Sequence, residues 1–376
     1  MDQINSWSNC TLSIGEEVQP KQQNELHDAM NNYQKIEMKG KGSYGAAYLA
    51  LQLNTKLQCI IKVINISNMN NKQKENAICE AKIMKDLKHP GIIKYYESFF
   101  ENDTNLCIVM EYAEKGNLEQ MLLEYKQNNE YINETLIIDW FTQLCLAVKY
   151  LHDQNIIHRD IKTQNIFITK DNFIKLGDFG IAKEIECKEQ LCKTSIGTPY
   201  YISPEAFQSK PYNNKSDMWS LGCVLYEMIS LRHAFDAKTI EGLGIKILRG
   251  QYPPIPKHYS DELKNLVTKL LVVDPTKRFN INDLLKQEIL LNGAKKYLDK
   301  YTQYTIQAKI NTQSNYNFNV CKLEELRMNL ENQLGLKKLQ DYIQQIENDT
   351  LDFNNDLSEK NIKDIELLIQ LEKQIF

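Results

Sequence analysis

The sequence predicts an α+β protein of two lobes, a small β-rich lobe followed by a larger α-helical lobe, with a helical tail behind them. Short runs of β-branched and aromatic residues recur over 33–111. Apolar residues at helical spacing dominate 114–291. Leucines at helical spacing then return from residue 323 and predict the tail.

Composition and charge exclude several classes of protein. With 42% hydrophobic and 25% charged residues, the chain is typical of a globular protein. The 45 basic and 49 acidic residues leave a net charge of −4 without a basic cluster, so we expect no nucleic-acid partner. The 9 cysteines lack a Cys-x-x-Cys pair and are predicted to be free thiols. With no membrane span and no leader peptide recognisable, we expect a cytoplasmic protein.

Four segments are expected along the chain. Residues 1–32 are polar and are predicted to form a flexible extension, and 33–291 hold the two lobes, 33–111 and 114–291. Residues 292–322 are predicted to be a linker, because seven of the seventeen residues in 303–319 are Asn or Gln. The remaining 323–376 are predicted to form an acidic helical tail. Such a tail can bind a partner, mediate a homodimer or pack on its own domain.

The residue patterns of the small lobe predict four strands and one helix. Runs at 48–51 and 59–64 predict a hairpin with its turn at Asn54-Thr55, and a helix is predicted over 72–87. Strands are predicted at 92–100 and 106–110, and the helical pattern begins after 117.

A glycine-rich segment, Gly-Lys-Gly-Ser-Tyr-Gly at 40–45, lies between two predicted strands. Glycines allow backbone N–H groups to approach phosphate oxygens closely. A strand follows the segment, which argues against a dinucleotide-binding Rossmann turn. Taken alone, the pattern fits an ordinary hairpin equally well.

Lys62 lies within an otherwise apolar strand. A lone lysine in such a place is usually an edge residue whose ammonium group reaches solvent. A buried ammonium group needs an anionic partner, and Glu80 in the next predicted helix can supply one. The pair can then direct Lys62 at phosphate oxygens.

Two further stretches indicate phosphoryl transfer, Ile-His-Arg-Asp-Ile-Lys-Thr-Gln-Asn-Ile-Phe at 157–167 and Asp-Phe-Gly at 178–180. The reaction needs a group that orients the attacking hydroxyl and oxygen ligands for Mg²⁺. Asp160 can do the first, and Asn165 with Asp178 the second. Each residue alone is usually a solvated group or a helix cap, but their spacing behind the glycine segment favours catalysis.

With these motifs in order, residues 33–291 resemble a eukaryotic protein kinase and are most similar to the NIMA-related (Nek) serine/threonine kinases. The resemblance is carried by GKGSYGAA at 40–47, HRDIKTQNIF at 158–167, IGTPYYISPE at 196–205 and KPYNNKSDMW at 210–219. It implies the bilobal protein-kinase fold, ATP and Mg²⁺ as cofactors, and transfer of the γ-phosphate to Ser and Thr hydroxyls of protein substrates.

The resemblance also implies the roles of individual residues. Asp160 is expected to be the catalytic base and Lys162 to contact the γ-phosphate, while Lys62, locked by Glu80, holds the α- and β-phosphates. Asn165 and Asp178 are the expected Mg²⁺ ligands. The expected nucleotide contacts are Gly40, Lys41, Gly42, Ser43, Tyr44, Gly45, Ala47, Ile60, Lys62, Met110, Glu111, Ala113 and Phe167, with Met110 as gatekeeper and 111–113 as hinge.

Two structural roles are implied in the large lobe. Asp217 is expected to brace the catalytic loop from a buried helix. Glu205 is expected to form an ion pair with Arg278.

Regulation is expected in the segment before the Thr-Pro-Tyr motif. Thr194 matches the activating phosphosite of the family, although Ser195 and Thr198 compete for the assignment. Arg159 is positioned to receive the phosphate, which brings about −2 charge. An upstream kinase is a possible partner.

An apolar spine of Met84, Tyr95, His158 and Phe179 is expected to link the lobes. In related Nek kinases, a tyrosine equivalent to Tyr95 can also turn into the active site and keep the kinase inactive. Packing in the spine alone explains a large ring at this position, so we favour that role. At the adenine site, Ala47 is smaller and Ile60 is larger than the residue of the general kinase pattern. The two changes offset each other in volume, so a functional pocket is still expected.

Two other classes of protein compete with an active protein kinase. A pseudokinase scaffold is disfavoured because all the catalytic residues are present. A small-molecule kinase is disfavoured by the motifs at 197–199 and 203–205, which build a platform for a peptide. The Nek resemblance implies work in the cell cycle, at microtubules, centrosomes or basal bodies, or in cilia.

Overall fold

The computed structural model describes residues 29–42, 45–67, 69–102, 104–178, 199–304, 338–340, 342–343 and 359–375. The chain forms two compact units, Met1–Lys295 and Lys296–Phe376. The first unit holds both lobes, and the α+β class with a β-rich lobe before a helical one is confirmed.

The small lobe is a five-stranded antiparallel sheet crossed by one helix. Its strands β1 (Tyr33–Gly42), β2 (Gly45–Gln52), β3 (Gln58–Asn65), β4 (Tyr95–Glu101) and β5 (Asn105–Glu111) lie in the order β1-β2-β3-β5-β4. The predicted hairpin is β2–β3, with Leu51 opposite Gln58. Its turn lies between the strands at Asn54-Thr55, as predicted.

Helix α1 (Asn71–Asp86) connects β3 to β4. It begins at a capping box in which Asn70 and Gln73 satisfy each other's backbone N–H groups. Its buried residues Ala77, Glu80, Ala81 and Met84 follow the spacing of one helical face. Glu80 is the one charged residue on that face, and so it is held against the sheet.

The large lobe is built around two buried helices. Its helices are α2 (Leu118–Gln127), α3 (Glu134–Asp153), α4 (Pro204–Phe207), α5 (Asn214–Ser230), α6 (Ile240–Arg249), α7 (Asp261–Leu270) and α8 (Ile281–Leu285). Every residue from Ser216 to Ile229 of α5 is buried, so α5 is the centre of the lobe. A two-stranded sheet of β6 (Ile166–Ile168) and β7 (Ile174–Leu176) follows the catalytic loop.

At two places the described elements extend past the predicted segment boundaries. Residues 29–32 form a 3₁₀ helix whose Ala29 and Met30 pack against the sheet, so they do not belong to a flexible extension. Residues 288–304 form helix α9, so the linker predicted over 292–322 is helical as far as 304. Residues 1–28 and 305–322 lie outside the described residues.

Gly293 lies inside helix α9. A glycine inside a helical pattern weakens the prediction of a helix. Here a Cβ at Gly293 would lie 2.5 Å from Oγ1 of Thr142 in α3, so the glycine permits close packing of the helix.

The second unit contains helix α10 (Glu359–Ile375), which lies in the predicted helical tail and whose Ile365 and Leu368 are buried. Residues 338–340 and 342–343 are also helical, and Leu339 is buried. The leucines of 323–337 lie outside the described residues. Within the described part of the chain, no helix combines the length and hydropathy needed to span a membrane.

Candidate active site

One face of the small-lobe sheet gathers the predicted nucleotide contacts. Ala47 pairs with Lys62 across β2 and β3, and Ile60 pairs with Met110 across β3 and β5. Side chains directly opposite each other, and those two residues apart along a strand, point to the same face. The four side chains therefore share one face of the sheet, on which Lys62 is the one charged residue of the four.

Two glycines of the β1–β2 hairpin, Gly40 and Gly45, differ in the space that a Cβ would find there. A Cβ at Gly45 would lie 1.8 Å from the carbonyl oxygen of Val63 in β3, so only glycine fits there. A Cβ at Gly40 would meet nothing within 4 Å. Open space at Gly40 leaves its backbone accessible to a ligand. Ser43 and Tyr44 at the tip lie outside the described residues.

Lys62 is paired with two carboxylates. Its Nζ lies 2.6 Å from Oδ1 of Asp178 and 3.5 Å from Oε1 of Glu80. Burial acts to lower the pKa of Lys62, but the two carboxylates outweigh it and raise that pKa. The charge of Lys62 in turn lowers the pKa of Asp178. Burial raises the pKa of Glu80, with Lys62 opposing the shift. Lys62 is therefore a permanent cation that contacts both lobes.

The hinge between the lobes is held through Glu111. Its backbone N–H donates to the carbonyl of Lys94 (2.8 Å), and its Oε2 accepts from the N–H of Lys94 (3.0 Å). Its Oε1 lies 2.8 Å from Nζ of Lys175 in β7, in a pair whose side chains are only 14% and 22% exposed. Ala113 is buried and accepts a hydrogen bond from the N–H of Gly116. These contacts fix the backbone of 111–113.

The catalytic loop brings three predicted residues together. Nδ2 of Asn165 donates to both Oδ2 (2.8 Å) and the carbonyl oxygen (2.9 Å) of Asp160. Nζ of Lys162 lies 2.9 Å from the same Oδ2. The Asp160 carboxylate is thus held by a cation and an amide in one orientation.

Asp217, at the start of α5, stabilises the catalytic loop through hydrogen bonds. Its carboxylate accepts the backbone N–H groups of His158 and Arg159, both at 3.0 Å, and lies 2.9 Å from Nε2 of His152. Tyr212 donates a further bond at 3.1 Å. Burial acts to raise the pKa of Asp217, but the contacts with His152 and His158 outweigh it and lower that pKa. Arg159 has a φ of 70°, and its bond to Asp217 holds this strained conformation.

His158 links the catalytic loop to the residues before Asp178. Its Nδ1 accepts the N–H of Asp160 (3.3 Å), so Nε2 carries the proton and donates to the carbonyl of Gly177 (3.2 Å). Burial lowers the pKa of His158, which favours this neutral ring. The ring therefore acts as a fixed spacer between the two segments.

The predicted Mg²⁺ ligands are neighbours with suitable chemistry. Gly177, directly before Asp178, donates its N–H to the carbonyl of Asn165 at 2.9 Å. An amide oxygen and a carboxylate are hard oxygen donors of the kind Mg²⁺ prefers. Asp178 has a φ of 55°, a strained conformation of the kind found at ligand sites. The residues present fit the expected metal.

The predicted ion pair of Glu205 and Arg278 is present and buried. Nη1 and Nη2 of Arg278 donate to the two carboxylate oxygens of Glu205 at 2.8 and 3.0 Å. Ser216 of α5 donates to the same carboxylate at 2.8 Å, and the guanidinium lies over the Trp219 ring. The pair fixes α4 to the central helix.

Comparison with known proteins identifies the family. Residues 33–290 match the protein kinase domain. The chain is 44% identical to Serine/threonine-protein kinase Nek1 of Mus musculus over 269 residues, which are 72% of this chain and 22% of that protein. It is 41% identical to Serine/threonine-protein kinase nekl-2 of Caenorhabditis elegans over 270 residues, 70% of this chain and 75% of that protein.

The chain belongs to the Nek family of serine/threonine protein kinases. A third relative, the probable serine/threonine-protein kinase nek3 of Dictyostelium discoideum, is 46% identical over 68% of this chain and 23% of its own length. The match thus spans less than a quarter of Nek1 and of nek3, and three quarters of nekl-2.

The remaining predicted residues of this Nek kinase fall into two groups. Tyr95 lies opposite Met110 in the sheet, and its hydroxyl donates to Oγ of Ser98 at 2.7 Å. Phe167 lies in β6, where its ring faces Gly177. The predicted regulatory residues Thr194 and Ser195, together with Thr198 and Phe179, lie outside the described residues.

Sequence reasoning missed several partners of the predicted site residues in this Nek kinase. Lys175 stands alone in an apolar strand, the same signal that singled out Lys62, and could have been found by it. His152 and Tyr212 carry no such signal, because only the folded chain brings them to Asp217.

Proposed function

We propose that the chain is an ATP- and Mg²⁺-dependent protein kinase that transfers the γ-phosphate to Ser and Thr hydroxyls of protein substrates. The observation that carries this proposal is the arrangement of Asp160, whose carboxylate is held by Lys162 and Asn165 beside the Lys62–Asp178 pair. A scaffold without activity would not need a carboxylate held in this way.

The residues divide the reaction between them. Asp160 orients the substrate hydroxyl and accepts its proton as the hydroxyl oxygen bonds to the γ-phosphorus and the bond to the β-phosphate oxygen breaks. Lys62 holds the α- and β-phosphates, and Lys162 stabilises charge on the γ-phosphate. Magnesium held by Asn165 and Asp178 would neutralise phosphate charge. Because each group is fixed before the substrate arrives, little reorganisation accompanies transfer.

Activation by phosphorylation of Thr194 is part of the proposal. A phosphate there needs a cation, and Arg159 directly precedes the catalytic Asp160. The backbone of Arg159 is already fixed by Asp217. A phosphate bound by Arg159 would therefore act directly on the catalytic loop.

The proposal is tested by ³²P transfer from Mg-ATP to a generic protein substrate, with phosphosite mapping of the enzyme. We expect transfer by the full chain, loss of at least about a thousandfold in Asp160→Asn, and phosphate on Thr194. A Thr194→Ala protein with full activity would refute activation at that residue. Absence of transfer after treatment with an upstream kinase would favour the scaffold.

Cellular role and location follow from the Nek family alone. We propose work in the cell cycle or at microtubules or cilia, with the protein in the cytoplasm at the cytoskeleton, centrosome, basal body or cilium. A tagged full chain found evenly through the cytoplasm at every stage of the cell cycle would contradict this location. The location of residues 1–304 with the same tag, compared with that of the full chain, shows whether the tail directs the location.

A further inference from the structure

A histidine outside the predicted site contacts the segment expected to hold the peptide substrate. The ring of His233, in the loop after α5, stacks on Tyr200 with centroids 3.8 Å apart and an angle of 13° between the planes. It meets the ring of Tyr201 edge-on at 6.0 Å. Both tyrosines directly follow Pro199 of the peptide platform.

The same histidine is joined to the catalytic loop by a chain of polar contacts. Its Nδ1 lies 3.3 Å from Oε2 of Glu227 in α5. That oxygen accepts the hydroxyl proton of Tyr201 at 2.5 Å, and Oγ1 of Thr163 lies 2.8 Å from the same hydroxyl. Because Tyr201 gives its proton to Glu227, Thr163 is the donor. Thr163 lies three residues after Asp160 in the loop.

The groups that face His233 favour its charged form. Glu227 comes from α5, Glu119 from α2 and Asp236 from the loop of His233 itself, and all three are acidic. Burial acts to lower the pKa of His233, but the contact with Glu227 and the charges of Asp236 and Glu119 outweigh it and raise that pKa.

Two further titratable groups, Tyr201 and Arg232, lie close to His233 in contact or in sequence. Burial and the Glu227 carboxylate raise the pKa of Tyr201, so its hydroxyl stays protonated. The neighbouring Arg232 directs its guanidinium to the carbonyl of Pro254, at 3.3 Å.

We propose that His233 is a positioning residue for the protein substrate, whose protonated ring holds Tyr200 and Tyr201 against the catalytic loop. The inference rests on the proposed kinase function. The imidazolium attracts both the Glu227 carboxylate and the face of the Tyr200 ring. Deprotonation removes both attractions, so the platform beside Thr163 loosens and the substrate binds less well.

The sign of the pH effect follows from the raised pKa. A histidine whose folded pKa exceeds its unfolded value stabilises its contacts below the unfolded pKa and loses them as pH rises through the folded pKa. The KM for the peptide should therefore rise with pH by about two- to fivefold, the range of a partly exposed ion pair. The KM for ATP should stay constant, because no predicted nucleotide contact lies in this chain of contacts.

The experiment is steady-state kinetics of the full chain, with one peptide, from about pH 6 to about pH 8.5. His233→Asn removes the charge, and we expect a high KM for the peptide without this pH dependence. His233→Arg keeps a planar cation that can pair with Glu227 and stack on Tyr200, and we expect a low KM at every pH. His258→Asn changes a histidine that packs on Tyr131 and Tyr259 instead of Tyr200 and Tyr201, so it is the matched control and should follow the wild type.

The outcomes separate the two proposals. Suppose that the wild type transfers phosphate, that its KM for the peptide does not change with pH, and that His233→Arg has the same KM. This result overturns the positioning role and leaves the kinase function intact. No transfer by the wild type at any pH overturns the kinase function and this inference with it. Thermal melting shows whether each variant is folded. If His233→Asn fails to fold, the pH dependence of the KM for the peptide in the wild type and in His233→Arg still tests the proposal.

Discussion

At the scale of single residues, the site is built from charged groups that have several partners. Lys62 lies between two carboxylates, and Asp217 accepts hydrogen bonds from two backbone N–H groups. Asp217 is fully buried, and a buried charge whose partners are removed costs several kcal/mol, so this residue serves the fold and the site together.

Replacing Asp217 with Asn should disrupt the catalytic loop. One carboxylate oxygen becomes an NH₂ group that faces a donor, so we expect the free energy of unfolding to fall by roughly 3 kcal/mol and kcat to fall with it. Because the folded pKa of Asp217 is lowered, its contribution is present above the unfolded pKa and is lost as pH falls through the folded pKa.

Urea unfolding at neutral and acidic pH measures this effect. The control is Asp261→Asn, whose carboxylate is 98% exposed in its pair with Lys264 and should matter little. Equal stability of both variants would contradict the bracing role of Asp217.

At the scale of elements, strands and helices could be predicted because their patterns are local. The hairpin of β2 and β3 and the helix α1 are visible as runs with turn and cap residues at their ends. The Lys62–Glu80 contact was also predictable, since a buried ammonium group needs an acid nearby. The link between Tyr201 and Glu227 was not, because it depends on how α5 meets a distant segment.

The β1–β2 hairpin offers a matched pair of glycine substitutions. In Gly45→Ala the new Cβ would lie 1.8 Å from the Val63 carbonyl, so β2 and β3 must separate. We expect the melting temperature to fall by about 5 °C or more and the KM for ATP to rise. Gly40→Ala adds a Cβ into open space, and its melting temperature should stay within about 1 °C of the wild type. Equal losses in the two variants would refute the packing explanation.

At the scale of the whole kinase unit, two of the ion pairs among its described residues join the two lobes. Lys62 contacts Asp178, and Glu111 contacts Lys175 of β7. The first pair belongs to the expected site of catalysis, whereas the second lies at the hinge, where Glu111 is an expected nucleotide contact. The hinge pair is therefore expected to bear on lobe alignment and nucleotide binding rather than on phosphoryl transfer.

Removing the hinge pair should affect nucleotide binding more than chemistry. In Lys175→Met the Glu111 carboxylate loses its cation, and we expect a loss of about 1–2 kcal/mol in stability and a several-fold rise in the KM for ATP. The effect on kcat should be small. Lys115→Met, which removes an exposed bond to Asn172, is the control and should change neither quantity. Thermal melting and ATP titration of both variants provide the measurement.

The shared face of Ala47, Ile60 and Met110 has a consequence for inhibitors. Ile60 and Met110 are direct cross-strand neighbours, so two long side chains stand together on the side expected to receive adenine. An ATP-competitive compound with a bulky group directed at this face meets both side chains, whereas a flat, slender compound passes beside them. Ala47 leaves more room on β2, and a compound that extends there instead would gain selectivity over kinases with a larger residue at that position.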